Sequence, residues 1–295
     1  MEVIWVLENV KGTQSFYSRF NILMFITSIC LWRKYHPAHK TVIYLDDMSH
    51  DLFHKLDILH LWHEVRPLIY PDKIKREIFW SGSKTKIISE TKVPLLVIDH
   101  DFLIFRNIDE YLKENILCTY DEVASNWYPK LDDKWGTKLT EKIPHLIDRA
   151  SNVSLFYLPD PDFANRYGKQ TLKNHTDFSA MNTEGMTANH MIYSEQFMLR
   201  QWIYKESLPY KTLCKNIWDC SSITYTEKEW ENGYWDIREA KRSYKHYGAE
   251  KRFVLDNKAG YRYNETLEYL LRCINASRYI DPKYVQYKLK SIENR

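Results

Sequence analysis

Two aspartates in the stretch 93–108, which reads VPLLVIDHDFLIFRNI, have the clearest potential for chemistry. The apolar residues 95–98 run directly into Asp99-His100-Asp101, and a second apolar run follows at once. A continuous apolar run of this kind predicts a strand that is buried on both faces of a sheet. On an extended backbone Asp99 and Asp101 project from the same face, where their carboxylates repel each other unless a cation lies between them. The pair therefore predicts a divalent metal site and, with it, a phosphate-bearing substrate.

An alternation of strands and helices in the first half of the chain supplies the scaffold for these aspartates. The apolar patterns predict strands and helices in turn, at 3–7, 16–35, 41–45, 51–62, 65–69, 79–89 and 95–98. Such alternation is typical of an α/β fold with a mixed, mostly parallel sheet and helices on both faces. Ligands of these sheets bind beyond the carboxyl ends of the strands, where Asp99 and the pair Asp46-Asp47 both fall.

The second half of the chain has a less regular pattern. Short strand-like runs are predicted at 151–158 and 176–182, a helix at 192–204, and one or two C-terminal helices within 261–292. No linker or internal repeat separates these segments from the first half. We therefore predict one domain over residues 1–255, with a helical extension at 256–295 packed on the same domain.

Composition narrows the class of protein. A net charge of +3 in 295 residues gives no support to a nucleic-acid partner. Neither GxGxxG nor GxxxxGKS/T occurs, so a glycine-rich phosphate loop is not expected. The first ten residues lack the pattern of a signal peptide, and the most apolar helical segment, 20–32, is too short to span a bilayer. We expect a cytoplasmic protein without a membrane span.

Four short motifs, in order along the chain, resemble the metal-binding core of GT-A glycosyltransferases. The first is the strand followed by DxD at 99–101. Residues 178–182 (FSAMN) are similar to a strand motif of the glycosyltransferase family 8 type, and 194–199 (SEQFML) to its D-Q helix start. Residues 246–251 (HYGAEK) resemble its H-[FY]-x-G-x-x-K motif with one residue fewer. The resemblance covers roughly residues 1–255 and implies a GT-A, Rossmann-like fold.

The resemblance also implies a metal centre and a diphosphate site. Asp101 would ligate the metal, Asp99 would ligate it or bind the ribose hydroxyls, and His246 would complete the protein ligands. A mixed set of carboxylate and imidazole ligands favours Mn2+ over Mg2+. Gly248 would let the backbone approach the diphosphate, and Lys251 would place a positive charge on its oxygens.

Further donor contacts are expected from the second strand and from the helix before the DxD motif. Asp46 and Asp47 would accept hydrogen bonds from a uracil N–H or from sugar hydroxyls. Lys84 and Lys86 are two residues apart on a predicted helix and cannot share a face. We expect Lys86, which lies nearer the edge of the sheet, to face the donor.

Three residues are candidates for the group beside the anomeric carbon. Family 8 members act with retention, and the resemblance implies Gln196 or Glu195 as the group that steadies the transition state. Ser179 and Glu195 depart from the residues usual in the family, which leaves the stereochemistry open. In an inverting reaction, Asp177 would be the general base that deprotonates the acceptor hydroxyl.

These observations predict a metal-dependent glycosyltransferase. It would move a sugar from a nucleoside-diphosphate donor, with UDP-sugar favoured, to a glycan or another hydroxyl acceptor. Residues 1–108 would form the donor half and 109–255 the acceptor half. Two alternatives stay open: a catalytically silent sugar-nucleotide or glycan-binding protein of the same fold, and a transferase acting on modified DNA bases. The small net charge weighs against the second.

Overall fold

The computed structural model describes residues 1–8, 18–123, 145–181, 188–214, 244–247 and 261–293. In these ranges the strands are β1 (Glu2–Leu7), β2 (Lys40–Leu45), β3 (Glu64–Pro67), β4 (Leu95–Ile98), β5 (Phe102–Ile104), β6 (Ile116–Cys118), β7 (Asp121–Val123), β8 (Arg149–Ser151), β9 (Leu155–Leu158), β10 (Tyr210–Thr212) and β11 (Tyr244–His246). The α-helices are α1 (Arg19–Tyr35), α2 (Asp47–Lys55), α3 (Gly82–Glu90), α4 (Pro161–Ala180), α5 (Ala188–Ile192), α6 (Met198–Lys205), α7 (Tyr261–Ser277) and α8 (Pro282–Glu293). A π-helical turn, Tyr193–Phe197, joins α5 to α6.

A seven-stranded sheet with the order β10-β6-β9-β4-β1-β2-β3 organises the fold. Its pairs are parallel except where β9 runs antiparallel to both β4 and β6. Two smaller sheets pair β5 with β11 and β7 with β8, each antiparallel. The prediction of an α/β fold with a mixed, mostly parallel sheet is therefore confirmed.

Helices cover both faces of this sheet, and β1 is therefore buried on both sides. Val3, Trp5 and Leu7 face the layer that contains α1 and α7, whereas Ile4 faces the layer of α4 and α6. The indole N–H of Trp5 donates to the Ser28 hydroxyl of α1 at 3.0 Å, which fixes that helix over the strand. Helix α7 packs on the outer side of α1, so α1 is buried almost all round. Within the described ranges, no helix combines the length and apolar character needed to cross a bilayer.

Two predicted elements differ from the observed ones. The predicted strand at 176–182 is wrong over its described residues, because α4 continues to Ala180 with Phe178 and Ser179 on its buried face. The predicted helix at 51–62 starts earlier, at Asp47, since the Asp46 side chain caps it by accepting the Ser49 N–H at 2.8 Å. Helix α2 then ends before Asp57, which has a φ of 58°.

Helices α3 and α4 approach each other closely at a glycine. A Cβ on Gly168 would lie 2.5 Å from the backbone nitrogen of Ser89 and 2.7 Å from its Cα. Both atoms belong to the backbone of α3, so a side chain could be accommodated only if the two helices moved apart. Gly168 is therefore a requirement of the packing between α3 and α4.

The first prediction concerns this contact. Gly168→Ala should lower the free energy of unfolding by about 1–3 kcal/mol, because overpacking costs more than the gain of about 1 kcal/mol in helix propensity. Urea unfolding measures the change. Lys169→Ala, an exposed change one residue further along α4, is the matched control and should stay within about 0.5 kcal/mol. A Gly168→Ala protein as stable as the wild type would contradict the close contact.

A buried histidine at the end of α1 makes the fold sensitive to acid. The N–H of Ile108 donates to His36 Nε2 at 2.9 Å, so that nitrogen is unprotonated in the folded protein. Burial lowers the pKa of His36 to about 4, although the Asp109 carboxylate opposes this shift. The unfolded chain binds a proton at His36 below about pH 6.5, whereas the folded protein does so only near pH 4.

The second prediction follows from this difference in proton binding. Stability should fall as the pH drops from about 6.5 to about 4, by up to about 3 kcal/mol from this residue. Urea unfolding at pH 7 and at pH 4.5 measures the loss. His36→Gln should lose less stability between the two pH values than the wild type does. An equal loss in both proteins would show that His36 does not titrate in this range.

Candidate active site

The carboxyl edge of the sheet brings three acidic residues to the ends of neighbouring strands. Glu8 follows β1, Asp46 follows β2 and Asp99 follows β4. The chain leaves β1 for β2 on one side and later returns to β4 on the other. The gap between β1 and β4 is thus the point at which the strand order reverses, where open α/β sheets bind their ligands.

The DxD motif forms a tight turn rather than an extended segment. The N–H of Phe102 donates to the Asp99 carbonyl at 3.0 Å, and the N–H of Asp99 donates to the Ser154 carbonyl at 2.7 Å. The expectation that Asp99 and Asp101 extend from one face of a strand is therefore wrong, because the chain reverses between β4 and β5. The imidazole of His100 stacks on Phe25 at 4.3 Å between ring centroids and holds the turn against α1.

Strand β11 brings the chain back beside this turn. His246 is the register partner of Phe102, and the N–H of Tyr247 donates to the Asp101 carbonyl at 2.9 Å. The backbone of the predicted third ligand therefore lies next to the two aspartates, although the His246 side chain lies outside the described atoms. Gly248 and Lys251 lie outside the described residues. No cluster of three metal-ligating side chains occurs in the part of the chain that is described.

A buried lysine joins the DxD turn to the helix predicted to carry the catalytic group. Lys84 Nζ lies 2.8 Å from Glu195 Oε1 and 3.4 Å from Asp99 Oδ1. The Lys84 and Glu195 side chains are almost fully buried, whereas about a third of the Asp99 side chain is exposed. We call Lys84, Asp99 and Glu195 the acid–lysine triad.

The structure places Lys84, rather than Lys86, beside Asp99. Lys86 instead pairs with Glu90 one turn further along α3, on the outer face of the helix. The two lysines face different directions, as expected, and the contact of Lys86 with the donor stays a prediction. Burial of one face of α3 against α4 decides which lysine points inward, and the sequence carried no signal for that rotation.

Burial and neighbouring charges shift the pKa values of Asp99 and Lys84 within the triad. Burial raises the pKa of Asp99 above its ordinary value; the charges of Asp101 and Glu195 add to this effect, while Lys84 opposes it. Burial alone would lower the pKa of Lys84, but the carboxylates of Asp99 and Glu195 more than offset this and raise it. Lys84 is therefore a permanent cation held between two acids.

The remaining predicted residues occupy different positions. Glu195 and Gln196 both lie in the π-helical turn, and only Glu195 takes part in the triad. Asp177 lies on α4, where its carboxylate pairs with Lys173 at 3.4 Å. Asp46 caps α2, and Asp47 is exposed in the first turn of that helix. The triad thus unites Asp99 with Glu195 but includes none of these three aspartates.

One further buried carboxylate at this edge, that of Glu8, was missed by the sequence analysis. The Glu8 side chain is buried, accepts a hydrogen bond from Arg76 Nε at 2.7 Å, and accepts another from the Ser83 hydroxyl. Ser83 is next to Lys84, so the first turn of α3 is tied to β1 by Glu8 and to β4 by Asp99. The sequence signal that could have identified Glu8 is its position, because it is an acidic residue directly after a buried strand.

Comparison with known proteins yields only distant similarity. No protein-family model matches the chain, and no curated protein matches it. The apo-form glycosyltransferase GlyE of Streptococcus pneumoniae TIGR4 aligns with a TM-score of 0.47 and 10% identity, covering 99% of this chain and 63% of that one. A second structure of GlyE gives a TM-score of 0.42, 11% identity, and coverage of 83% and 54%. The chain spans less than two thirds of either structure, and likeness at this level carries no argument about function.

The third prediction tests the acid–lysine triad. Lys84→Met should lower the free energy of unfolding at pH 7.5 by about 3–5 kcal/mol, because two acids then lose their buried cation. The loss should shrink at pH 5.5, since without Lys84 the pKa of Asp99 rises further and the carboxylate takes up a proton. Urea unfolding at the two pH values measures both effects.

Lys86→Met is the matched control, because it removes a lysine two residues away whose partner is exposed. Its effect should stay within about 1 kcal/mol, as expected for a surface ion pair. Equal losses for the two variants would contradict the buried position of Lys84.

Proposed function

We propose that this protein is a metal-dependent glycosyltransferase that moves a sugar from a nucleoside-diphosphate donor to an acceptor hydroxyl. The observation that carries the proposal is the acid–lysine triad at the point where the strand order reverses. It joins the first aspartate of a DxD turn to a buried glutamate from a distant helix. Alternating charged donors and acceptors of this kind suit the hydroxyl groups of a sugar.

The DxD turn would hold the metal. Asp101 and Asp99 supply carboxylates from one tight turn, and the backbone of His246 runs beside them in β11. Oxygen ligands with an imidazole nitrogen fit Mn2+, and Mg2+ is the alternative. When bound, such an ion supplies positive charge for a leaving nucleoside diphosphate. Lys251 and Gly248, which follow β11, are proposed for the diphosphate oxygens.

The triad would bind the transferred sugar. Glu195 can accept hydrogen bonds from sugar hydroxyls while its ion pair with Lys84 fixes the direction of its carboxylate. Its neighbour Gln196 is the proposed group beside the anomeric carbon, which accords with a reaction that retains configuration. In an inverting reaction the acceptor base would be Asp177.

The nucleoside would lie toward the other strand ends. Asp46 and Asp47 follow β2, the neighbour of β1 in the sheet, and are proposed for the base or ribose of a UDP-sugar. Glu8 lies between them and the triad, at the end of β1. The acceptor would be a glycan or another molecule with a free hydroxyl.

A ligand screen tests this proposal and is the fourth prediction. Thermal unfolding is measured with UDP-, GDP-, CMP- and dTDP-sugars, each with and without Mn2+. One nucleotide class should raise the midpoint by several degrees only when Mn2+ is present, because a ligand at 100 times its Kd stabilises by about 2.7 kcal/mol. Asp101→Asn should abolish the manganese-dependent part of the shift. No shift with any of these ligands would contradict the proposed function.

The same preparation allows a turnover assay with the donor that the screen selects. Glu195→Gln should lower kcat/KM by a factor on the order of 100, because the charge that orients the sugar is lost. Glu90→Gln, which alters an exposed glutamate at the end of α3, is the control and should retain full turnover.

A further inference from the structure

The π-helical turn Tyr193–Phe197 interrupts the helix that carries Glu195. The N–H of Met198 donates both to the Tyr193 carbonyl, five residues back, and to the Glu195 carbonyl, three residues back, rather than to a carbonyl four residues back. A π-turn inserts one residue into a helix and therefore rotates the following side chains relative to the preceding ones. Such turns are uncommon and need compensation from neighbouring elements, because they weaken the regular ladder of hydrogen bonds.

Helix α4 supplies that compensation from a buried tyrosine. Tyr167 is fully buried, and its hydroxyl donates to the Glu195 carbonyl at 2.8 Å. One turn further, the Thr171 hydroxyl lies 3.0 Å from the Tyr167 carbonyl and 3.4 Å from that of Ser194, so it shares its hydrogen between them. Burial, followed by the nearby Glu195 charge, raises the pKa of Tyr167, so its hydroxyl stays protonated as a donor.

The same part of α4 also sets the position of Lys84. Gly168, next to Tyr167, allows the backbone of α3 to come within contact distance at Ser89. Consecutive residues of α4 thus contact both elements that meet in the Lys84–Glu195 ion pair. Tyr167 bonds to the backbone of Glu195, and Gly168 allows the close approach of α3, the helix that carries Lys84.

We infer that Tyr167 is a positioning residue that fixes the π-helical turn in the register that aims the Glu195 carboxylate at Lys84. One consequence of this inference rests on the proposed function. It is that Tyr167 governs binding of the sugar rather than of the nucleotide. The tyrosine itself would contact neither part of the donor, because its hydroxyl is used by the Glu195 backbone.

A double-mutant cycle tests this inference and needs no ligand. Tyr167→Phe removes only the hydroxyl and keeps the ring in the core. In the wild type, Tyr167→Phe should change the equilibrium constant of unfolding by a factor at least about fivefold larger than in a Glu195→Gln background. In that background the ion pair between Lys84 and Glu195, which Tyr167 positions, is already lost. Urea unfolding of the four proteins gives this coupling. An effect of the same size in both backgrounds would overturn the inference.

Tyr279→Phe is the matched control for the cycle. That tyrosine also donates its hydroxyl to a backbone carbonyl, that of Arg33 at 2.9 Å, but it contacts α1 rather than the π-helical turn. Its effect should be the same, within about twofold, with and without Glu195→Gln. If Tyr279→Phe were coupled to Glu195→Gln as strongly as Tyr167→Phe is, the inference would be overturned. The coupling would then reflect a general loss of stability and not the position of Tyr167.

Calorimetric titration with UDP and with UDP-glucose, each with Mn2+, adds a readout that a purely structural role would not change. Tyr167→Phe should weaken UDP-glucose at least about fivefold more than UDP, because only the sugar meets Glu195. Equal weakening of both would overturn the positioning role. A wild-type protein that binds neither probe would contradict the proposed UDP-sugar donor, while a coupled cycle would still uphold the role of Tyr167.

Discussion

The burial of one ammonium group between two carboxylates is the constraint on which this site depends. Lys84 has lost most of its water, and that loss is tolerable only while Asp99 and Glu195 stay within contact distance. The three residues come from α3, from the end of β4 and from the π-helical turn. Any shift of one of these elements would leave a buried charge without its partner, so the ion pairs fix the relative positions of all three.

Helix α4 forms the support behind this arrangement. Gly168 brings α3 near, and Tyr167 holds the backbone of the π-helical turn, so a single rigid helix positions the residues on either side of the ion pair. The residues proposed to meet a substrate, such as Glu195, are therefore distinct from the α4 residues that orient them. A site built in this way is preorganised, because its charged groups do not need to be gathered when a ligand arrives.

The other side of the site depends on the return of the chain in β11. Without that strand, the DxD turn would offer only the two carboxylates of Asp99 and Asp101, which repel each other. Pairing of β11 with β5 places the backbone of His246 at the same turn, and Tyr247 is bonded to the Asp101 carbonyl. Residues distant in sequence thus meet where the sheet presents its carboxyl edge, and this supports the proposal of one composite donor site.

The sequence by itself determined the layer structure and the edge of the sheet that bears the chemistry. Apolar runs such as 95–98 and the aspartates that follow them are local signals, and parallel pairing then brings the strand ends together. Only the tertiary structure decided that Lys84 faces inward instead of Lys86, that Glu8 is buried, and that residues 176–180 are helical. The reason is physical: the rotation of a helix and the burial of a charge depend on partners far along the chain. No local pattern of residue types records those contacts.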